Sequence, residues 1–342
     1  MCTGLMRATC PSAAVVAAVI VLASASARSQ GAALETPGFH HLHLGSTNPD
    51  AALAFYTKAF PSTSATTWGG MPALRSPNNV LVLFTRLDQP ASTQPQTAMW
   101  HFGWHVTNER AAIARMRAAG VTVLPLYTND EGGTVSISTD TYPGTGGVLG
   151  LTKDQLAQAK RNNVQPEGVA GFAYIRGPDD ALVEVQGDMP AERFNHVHMF
   201  QDDPFCAQVW YQKHLGVRPS PPRPGAPVEA ARTEASCRVA RGSDRTWPSL
   251  DVEGSYRTPS AGVVVGDVAL NWYMRQGNQP LAGTRGHLMD HVALSVTNLD
   301  AWGAKLRAEG VRFLEQPYRL GEGRAVLIEG PSREAIELVE VK

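Results

Sequence analysis

The sequence predicts an α+β protein built from four βαβββ units, and three recurrences carry that reading. His41-Leu-His43 through Tyr56-Thr-Lys58 returns as His196-Val-His198 through Tyr211-Gln-Lys213, with histidine and tyrosine 15 positions apart in both copies (41 to 56, 196 to 211). His101-Phe-Gly-Trp-His105-Val-Thr-Asn108 returns as His291-Val-Ala-Leu-Ser295-Val-Thr-Asn298. Gly177-Pro178 through Glu184 returns as Gly330-Pro331 through Glu337. Matches that recur in the same order along the chain mark a duplication.

Each unit opens with a histidine-bearing strand, the first being Phe39 to Gly45. An amphipathic helix follows in each: Asn48 to Phe60, Glu109 to Gly120, Asp203 to Leu215 and Leu299 to Gly310. Gly120 and Gly310 stand where a helix C-cap is expected. Alternating apolar stretches such as Asn79 to Leu87 and Arg324 to Val341 supply the remaining strands. Two insertions account for unequal spacing, the proline-rich Arg218 to Pro248 and a segment with an extra helix, Thr152 to Asn162. Loops absorb such insertions at modest entropic cost. The expected organisation is a first domain over 38–190, with units 38–90 and 97–190, and a second over 191–342, with units 191–277 and 286–342.

Ahead of them, Arg7 precedes an apolar run from Ala13 to Ala25 and the small-residue pattern Ala23-Ser24-Ala25-Ser26-Ala27. This has the form of a secretory signal over 1–27, with the mature chain starting near Arg28. The run is too short to span a bilayer, which takes roughly 20 apolar residues. The expected location is therefore outside the cytoplasm, periplasmic or secreted, with no stable membrane anchor after cleavage. Cys2 and Cys10 would leave with the leader. Cys206 and Cys237 remain, either paired in an oxidising compartment or as two buried thiols. With 30 Lys+Arg against 31 Asp+Glu, the formal net charge of -1 and the absence of a basic block exclude nucleic acid and anionic membrane surfaces as expected partners.

The His-x14-Tyr-x-Lys opening, the histidine before Val-Thr-Asn and the closing Gly-Pro strand resemble the vicinal oxygen chelate superfamily, which includes glyoxalase I, bleomycin-resistance proteins and type I extradiol dioxygenases. The resemblance spans nearly all of Gly38 to Lys342. It implies paired βαβββ units with cupped, barrel-like mixed sheets, and a divalent metal (Fe2+, Zn2+ or Mn2+) held by residues of the first and last strands. Carried onto matching positions, the ligands are His41, His101 and Glu184 in the first domain and His196, His291 and Glu337 in the second. Two imidazoles and one carboxylate leave open positions on an octahedral ion, as catalysis requires.

On a strand, alternate side chains share a face, so His43 looks the same way as His41 one step of ~6.6–6.8 Å further on. That spacing makes His43 a donor behind the ligands or an acid/base beside the substrate rather than a ligand, with His105 in a matching place, His198 its counterpart in the third unit and His40 facing away; the bland alternative is that His43, His105 and His198 line a polar cavity. Tyr174 lies within Tyr-Ile-Arg-Gly-Pro-Asp-Asp-Ala-Leu-Val-Glu, close to the extradiol pattern, though Gly177 and Asp180 depart from it. The expected function is metal-dependent, extradiol-dioxygenase-like chemistry on a small molecule that chelates through adjacent oxygens, with His43, His105 and Tyr174 as catalytic candidates. The alternatives are a glyoxalase-like lyase or isomerase and a non-catalytic binding protein of the resistance type. The partners implied are the small molecule and, at most, a second copy of the chain.

Overall fold

The computed structural model describes residues 34–124, 126–129, 135–137, 153–164, 171–221, 253–256, 260–277 and 279–341. The expected signal peptide lies outside the described residues. Cys206 is disulfide-bonded; Cys237, the other cysteine of the expected mature chain, also lies outside the described residues. No helix among the described residues is long and apolar enough to cross a membrane.

The first unit comprises β1 (Gly38–Ser46), α1 (Pro49–Ala59), β2 (Ser64–Trp68), β3 (Met71–Arg75) and β4 (Leu81–Arg86). The second has β5 (Met99–His105), α2 (Glu109–Ala118), β6 (Val123–Leu124), the short strands β7 (Leu126–Asn129) and β8 (Val135–Ile137), the expected extra helix α3 (Lys153–Arg161), β9 (Phe172–Arg176) and β10 (Leu182–Gln186). The third runs through β11 (Arg193–Gln201), α4 (Pro204–Leu215), β12 (Arg218–Pro219), β13 (Glu253–Tyr256), β14 (Ser260–Val265) and β15 (Val268–Met274). The fourth closes with β16 (Met289–Val296), α5 (Leu299–Ala308), β17 (Tyr318–Leu320), β18 (Gly323–Glu329) and β19 (Ala335–Glu340).

The repeated motifs explain the helix ends. Asn48, Asn108 and Asn298 each accept a hydrogen bond from the backbone N–H three residues on, and Asp203 accepts from Phe205. These are N-caps, each worth about 1 kcal/mol. Gly120 and Gly310, at φ 81° and 76°, turn the chain out of α2 and α5 in the left-handed region that favours glycine.

Eight strands run β17-β18-β19-β16-β1-β4-β3-β2 in one sheet and eight run β12-β14-β15-β11-β5-β10-β9-β6 in the other. The first sheet thus joins units one and four, and the second joins units two and three. The expected split at 190 and 191 does not describe how the sheets form, because β11 pairs antiparallel with β5 across it. The reason is physical. The first strands of all four units present similar edges, so any two can pair, and the repeat records the unit without recording its partner. The short link 187–192 sets unit three beside unit two.

One continuous apolar core fills the helical side of both sheets, including Leu42, Phe60, Trp104, Met116, Phe194, Leu215 and Leu338. Phe60 stacks on Trp104 at 4.4 Å between ring centroids, and Phe39 stacks on Phe194 at 5.7 Å, so aromatic contacts tie unit one to units two and three. Tyr56, prominent in the repeat, is buried in this core, and its counterpart Tyr211 donates to Glu334 Oε1 at 3.0 Å. Burial of such rings supplies roughly 1.5–3 kcal/mol each. The opposite side of each sheet carries the histidines.

Candidate metal centre

Each cup is built where the first strands of two units lie side by side. In the first sheet, His43 pairs with His291 and His41 with Ala293, while Ala293 pairs with Glu337 of β19 on its other side. In the second, His198 pairs with His101 and His196 with Gly103, and Gly103 pairs with Glu184 of β10. Residues directly opposite on neighbouring strands share a face, so His41, His43, His291 and Glu337 converge in one cup. His101, His196, His198 and Glu184 converge in the other.

The candidate ligands are therefore regrouped relative to the sequence expectation. The sets His41–His101–Glu184 and His196–His291–Glu337 do not assemble; His41 joins His291 and Glu337, and His196 joins His101 and Glu184. The exchange follows directly from the crossed pairing of units.

In the His41 cup, Glu337 Oε2 lies 3.3 Å from His41 Nε2 and 3.7 Å from His291 Nε2. All three atoms are buried and make no hydrogen bond within the protein. In the His101 cup, Glu184 Oε2 lies 2.9 Å from His101 Nε2 and 3.6 Å from His196 Nε2, and His196 Nε2 is likewise unbonded. Buried polar atoms left without partners cost roughly 1–3 kcal/mol each. A divalent cation would satisfy them together, so the donor set fits a metal.

Register irregularities place the atoms behind the ligands. β1 carries His40 as an extra residue between Phe39 and His41, and β16 carries Asp290 between Met289 and His291. β11 and β5 repeat the pattern with Asn195 and Trp100. Such β-bulges re-aim side chains near functional sites. His40 therefore does not face away as expected; its Nδ1 lies 2.8 Å from His41 Nδ1. Asp290 Oδ1 lies 2.6 Å from His291 Nδ1, and Asn195 Nδ2 lies 2.9 Å from His196 Nδ1. Partners of this kind orient metal-binding imidazoles.

Protonation suits cation binding. Burial pushes His41 well below the usual imidazole range and brings His43 and His101 down to about 4, which keeps their lone pairs available at neutral pH. Burial alone would raise Glu184, but His196 and His101 outweigh it and hold the carboxyl well below its ordinary value. Glu337 is lowered in the same way, against burial, chiefly by His291. Burial also works against a charged His291, yet Asp290 and Glu337 hold its pKa above the ordinary value.

The catalytic candidates divide between the cups. His43 Nε2 lies 2.7 Å from Thr85 Oγ1, and His43 forms a compact group with His41 and His291 whose ligand atoms all lie within 4.8 Å of one another. The spacing of an ideal flat strand overstated its separation from His41, because the rings lean together to 5.8 Å between centroids. Tyr174 is buried opposite Glu184, its ring 5.1 Å from His101. His105 lies at the end of β5 on the cup face, half-buried, with its side chain bonded to Gln186; burial and His196 lower its pKa to about 4. Thus His43 belongs to one cup and His105 and Tyr174 to the other.

Sequence reasoning missed Asp290, Thr85, Asn271 and Tyr318. Tyr318 donates its hydroxyl to Glu337 Oε1, and the Asn271 amide nitrogen lies 3.2 Å from His198 Nε2. Only Asp290 had a signal, since it immediately precedes a repeated histidine; the others have no recurring partner. His287 and His214, also without repeated partners, bond to the Ser92 carbonyl and to Glu309 outside the cups.

Residues 193–338 match the model of the Glyoxalase/Bleomycin resistance protein/Dioxygenase superfamily. Glyoxalase I from Zea mays is similar in fold at 13% identity, with 89% of this chain and 92% of that chain covered and a TM-score of 0.53. A mutant form of the same maize enzyme gives 12% identity, 89% and 94% coverage and a TM-score of 0.53. A putative dioxygenase from Bacillus subtilis gives 9% identity, 90% and 86% coverage and a TM-score of 0.50. No curated protein matches the sequence.

Proposed function

We propose that the chain, whose residues 193–338 match the Glyoxalase/Bleomycin resistance protein/Dioxygenase superfamily, is a divalent-metal-dependent enzyme acting on a small organic molecule that chelates the ion through adjacent oxygens. The observation that carries this reading is the convergence of His41 Nε2, His291 Nε2 and Glu337 Oε2, buried and unbonded, with the parallel set of His101, His196 and Glu184 in the other cup. Two imidazoles and a carboxylate on one face form the arrangement used by non-haem iron oxygenases, which favours extradiol-type dioxygenation. A bound ion would lower the pKa of a coordinated hydroxyl and hold the substrate's two oxygens side by side.

The residues of the chain supply the rest. Neutral His43, positioned by Thr85 beside His291, accepts the substrate's hydroxyl proton. Trp68, Tyr318 and Leu320 pack around Ala293 on the cup face and give an apolar wall for the carbon skeleton. The likeness in fold to maize glyoxalase I supports the second reading, a lyase or isomerase.

Iron-loaded, reduced protein is expected to consume oxygen with a catechol, and His43→Ala to slow turnover roughly 10²-fold while metal stays bound. If no catechol gives oxygen uptake with iron, while a zinc- or manganese-loaded sample converts a hydroxy- or oxo-acid, the dioxygenase reading falls. Binding of a small molecule without turnover in any metal form would replace both readings with a binding protein. Export belongs to the same proposal: the mature chain starts near Arg28. N-terminal sequencing of native protein that finds Met1 or Cys2 would remove it.

A further inference from the structure

Resting on the reading that both cups hold a cation, we infer that the cups are not equivalent: the His101 cup is a four-ligand site with His198 as its fourth donor, and the His41 cup is the open one where substrate binds. His101, Glu184, His196 and His198 each offer a ligand atom, and all four atoms lie within 4.8 Å of one another. Glu184 Oε2 is 2.9, 3.6 and 3.9 Å from His101 Nε2, His196 Nε2 and His198 Nδ1. Around an ion with bonds of about 2.1 Å, adjacent donors sit about 3.0–3.4 Å apart and opposite ones about 4.2 Å apart. Four donors placed tetrahedrally sit about 3.4 Å apart, so one ion fits with shifts of about 0.2–0.5 Å in these separations.

Local structure builds this arrangement. The rings of His196 and His198 stack at 4.1 Å with 19° between their planes. That approach depends on Gly103, since a Cβ there would lie 2.3 Å from His196 Nε2. Asn271 holds His198 from behind at Nε2, which turns Nδ1 towards Glu184. Asn271, whose amide nitrogen meets Nε2 and whose oxygen accepts from Ser220 Oγ, is thus a positioning residue.

The other cup differs at each of these points. Glu337 Oε2 lies 3.3 and 3.7 Å from His41 Nε2 and His291 Nε2, but the group whose ligand atoms all lie within 4.8 Å of one another is His41, His43 and His291, so His43 and Glu337 do not close on one ion together. Ala293 occupies the place of Gly103. His43 leans on His291, at 4.5 Å between ring centroids, and the hydroxyl of Tyr318 holds the second oxygen of Glu337. Asp290 backs His291, where Trp100 stands beside His101. A fourth protein donor closes a site and suits a structural ion, whereas three leave room for substrate. Duplication has therefore produced one site that binds and one that reacts.

Cobalt(II) alone, added to the full-length chain, tests this. In a Glu337→Ala background, where only the His101 cup remains, Co2+ should give the intense visible absorption of a four-coordinate ion and ignore added azide. In a Glu184→Ala background, the His41 cup should give the weak spectrum of a higher-coordinate ion that shifts with azide. His198→Ala, or His198→Gln if alanine prevents folding, should convert the first spectrum to the weak, azide-sensitive type and loosen Co2+ at least about 10-fold. An unchanged spectrum and affinity in both His198 variants overturns the inference, provided Glu184→Ala abolishes Co2+ binding in the Glu337→Ala background. Retention of Co2+ in that double variant instead overturns the metal reading itself.

Discussion

Gly103 offers a test of the His101 cup that touches no ligand. It lies between the two ligand strands, opposite His196 on one side and Glu184 on the other. A Cβ at this position would stand 2.2 Å from Cε1 of His196. Carbon atoms in contact keep about 3.5–4.0 Å, so in Gly103→Ala the imidazole must retreat by at least about 1.3 Å. Metal–ligand distances tolerate only about 0.2 Å. His196 is then lost as a donor, and metal affinity of this cup should fall by about 10²-fold or more, beyond the loss of an outer-shell partner. The assay is metal content per chain after gel filtration, followed by Co2+ titration in a Glu337→Ala background. The control is Ala293→Gly in the other cup, which removes a Cβ already accommodated; it should leave metal binding unchanged and cost about 0.5–1 kcal/mol of stability. If Gly103→Ala retains both ions at undiminished affinity, then His196 is not a ligand and the cup has been misread.

Three further outcomes follow from the same geometry. Glu334 is fully buried, accepting from Tyr211 and from the Ser332 backbone N–H; burial raises its carboxyl from 4.5 to about 7, and Glu329 adds to the effect. The folded state keeps this proton where the unfolded chain has released it, so stability falls as pH rises from about 4.5 to 7 and stays low above, by about 3 kcal/mol. Glu334→Gln removes that loss, and urea unfolding should show it gaining stability over the parent at pH 8 relative to pH 4.5; an equal difference at both pH values would count against it. Asp290→Asn weakens the carboxylate behind His291 and should lower metal affinity of the His41 cup by about 10- to 100-fold, read by competition with a chelator. Saturating each cup at 100 times its Kd should stabilise the chain by about 2.7 kcal/mol per site, and Glu184→Ala with Glu337→Ala should abolish the thermal shift.

The units, their helices and the histidine strands were legible because each leaves a local mark. Helical periodicity, glycines at helix ends and alternating apolar residues are read within a dozen positions, and α1 to α5 lie within the segments those marks set out. The sites needed more. Glu184 and Glu337 could be recognised one by one from the recurring Gly-Pro turn, yet their partners depend on which first strands pair, and β1 carries no feature that prefers β16 to β5. Bulges were hidden for a related reason. His40 reads as outward-facing on a regular strand, and only the pairing of Phe39 with Leu294 and His41 with Ala293 shows that it is the extra residue turned beside His41.

The crossed pairing has a consequence for how such a site can be kept. Each half of the repeat carries two histidines and one carboxylate of the two sets, but His41 finds His291 and Glu337 only in the other half, and His196 finds His101 and Glu184 only in the other half. Neither cup can form from one half folding alone in this arrangement. Each half contributes ligands to both cups, so one cup can drift towards a closed, ion-holding role only while the pairing that also builds its neighbour persists. That constraint accounts for two cups that repeat the same strand pairing, bulge positions and a Glu on the last strand, yet differ at Gly103 and Ala293, Trp100 and Asp290, Asn271 and Leu83. The differences fall on side chains that face a cup, and the pairing of strands that supports both is untouched.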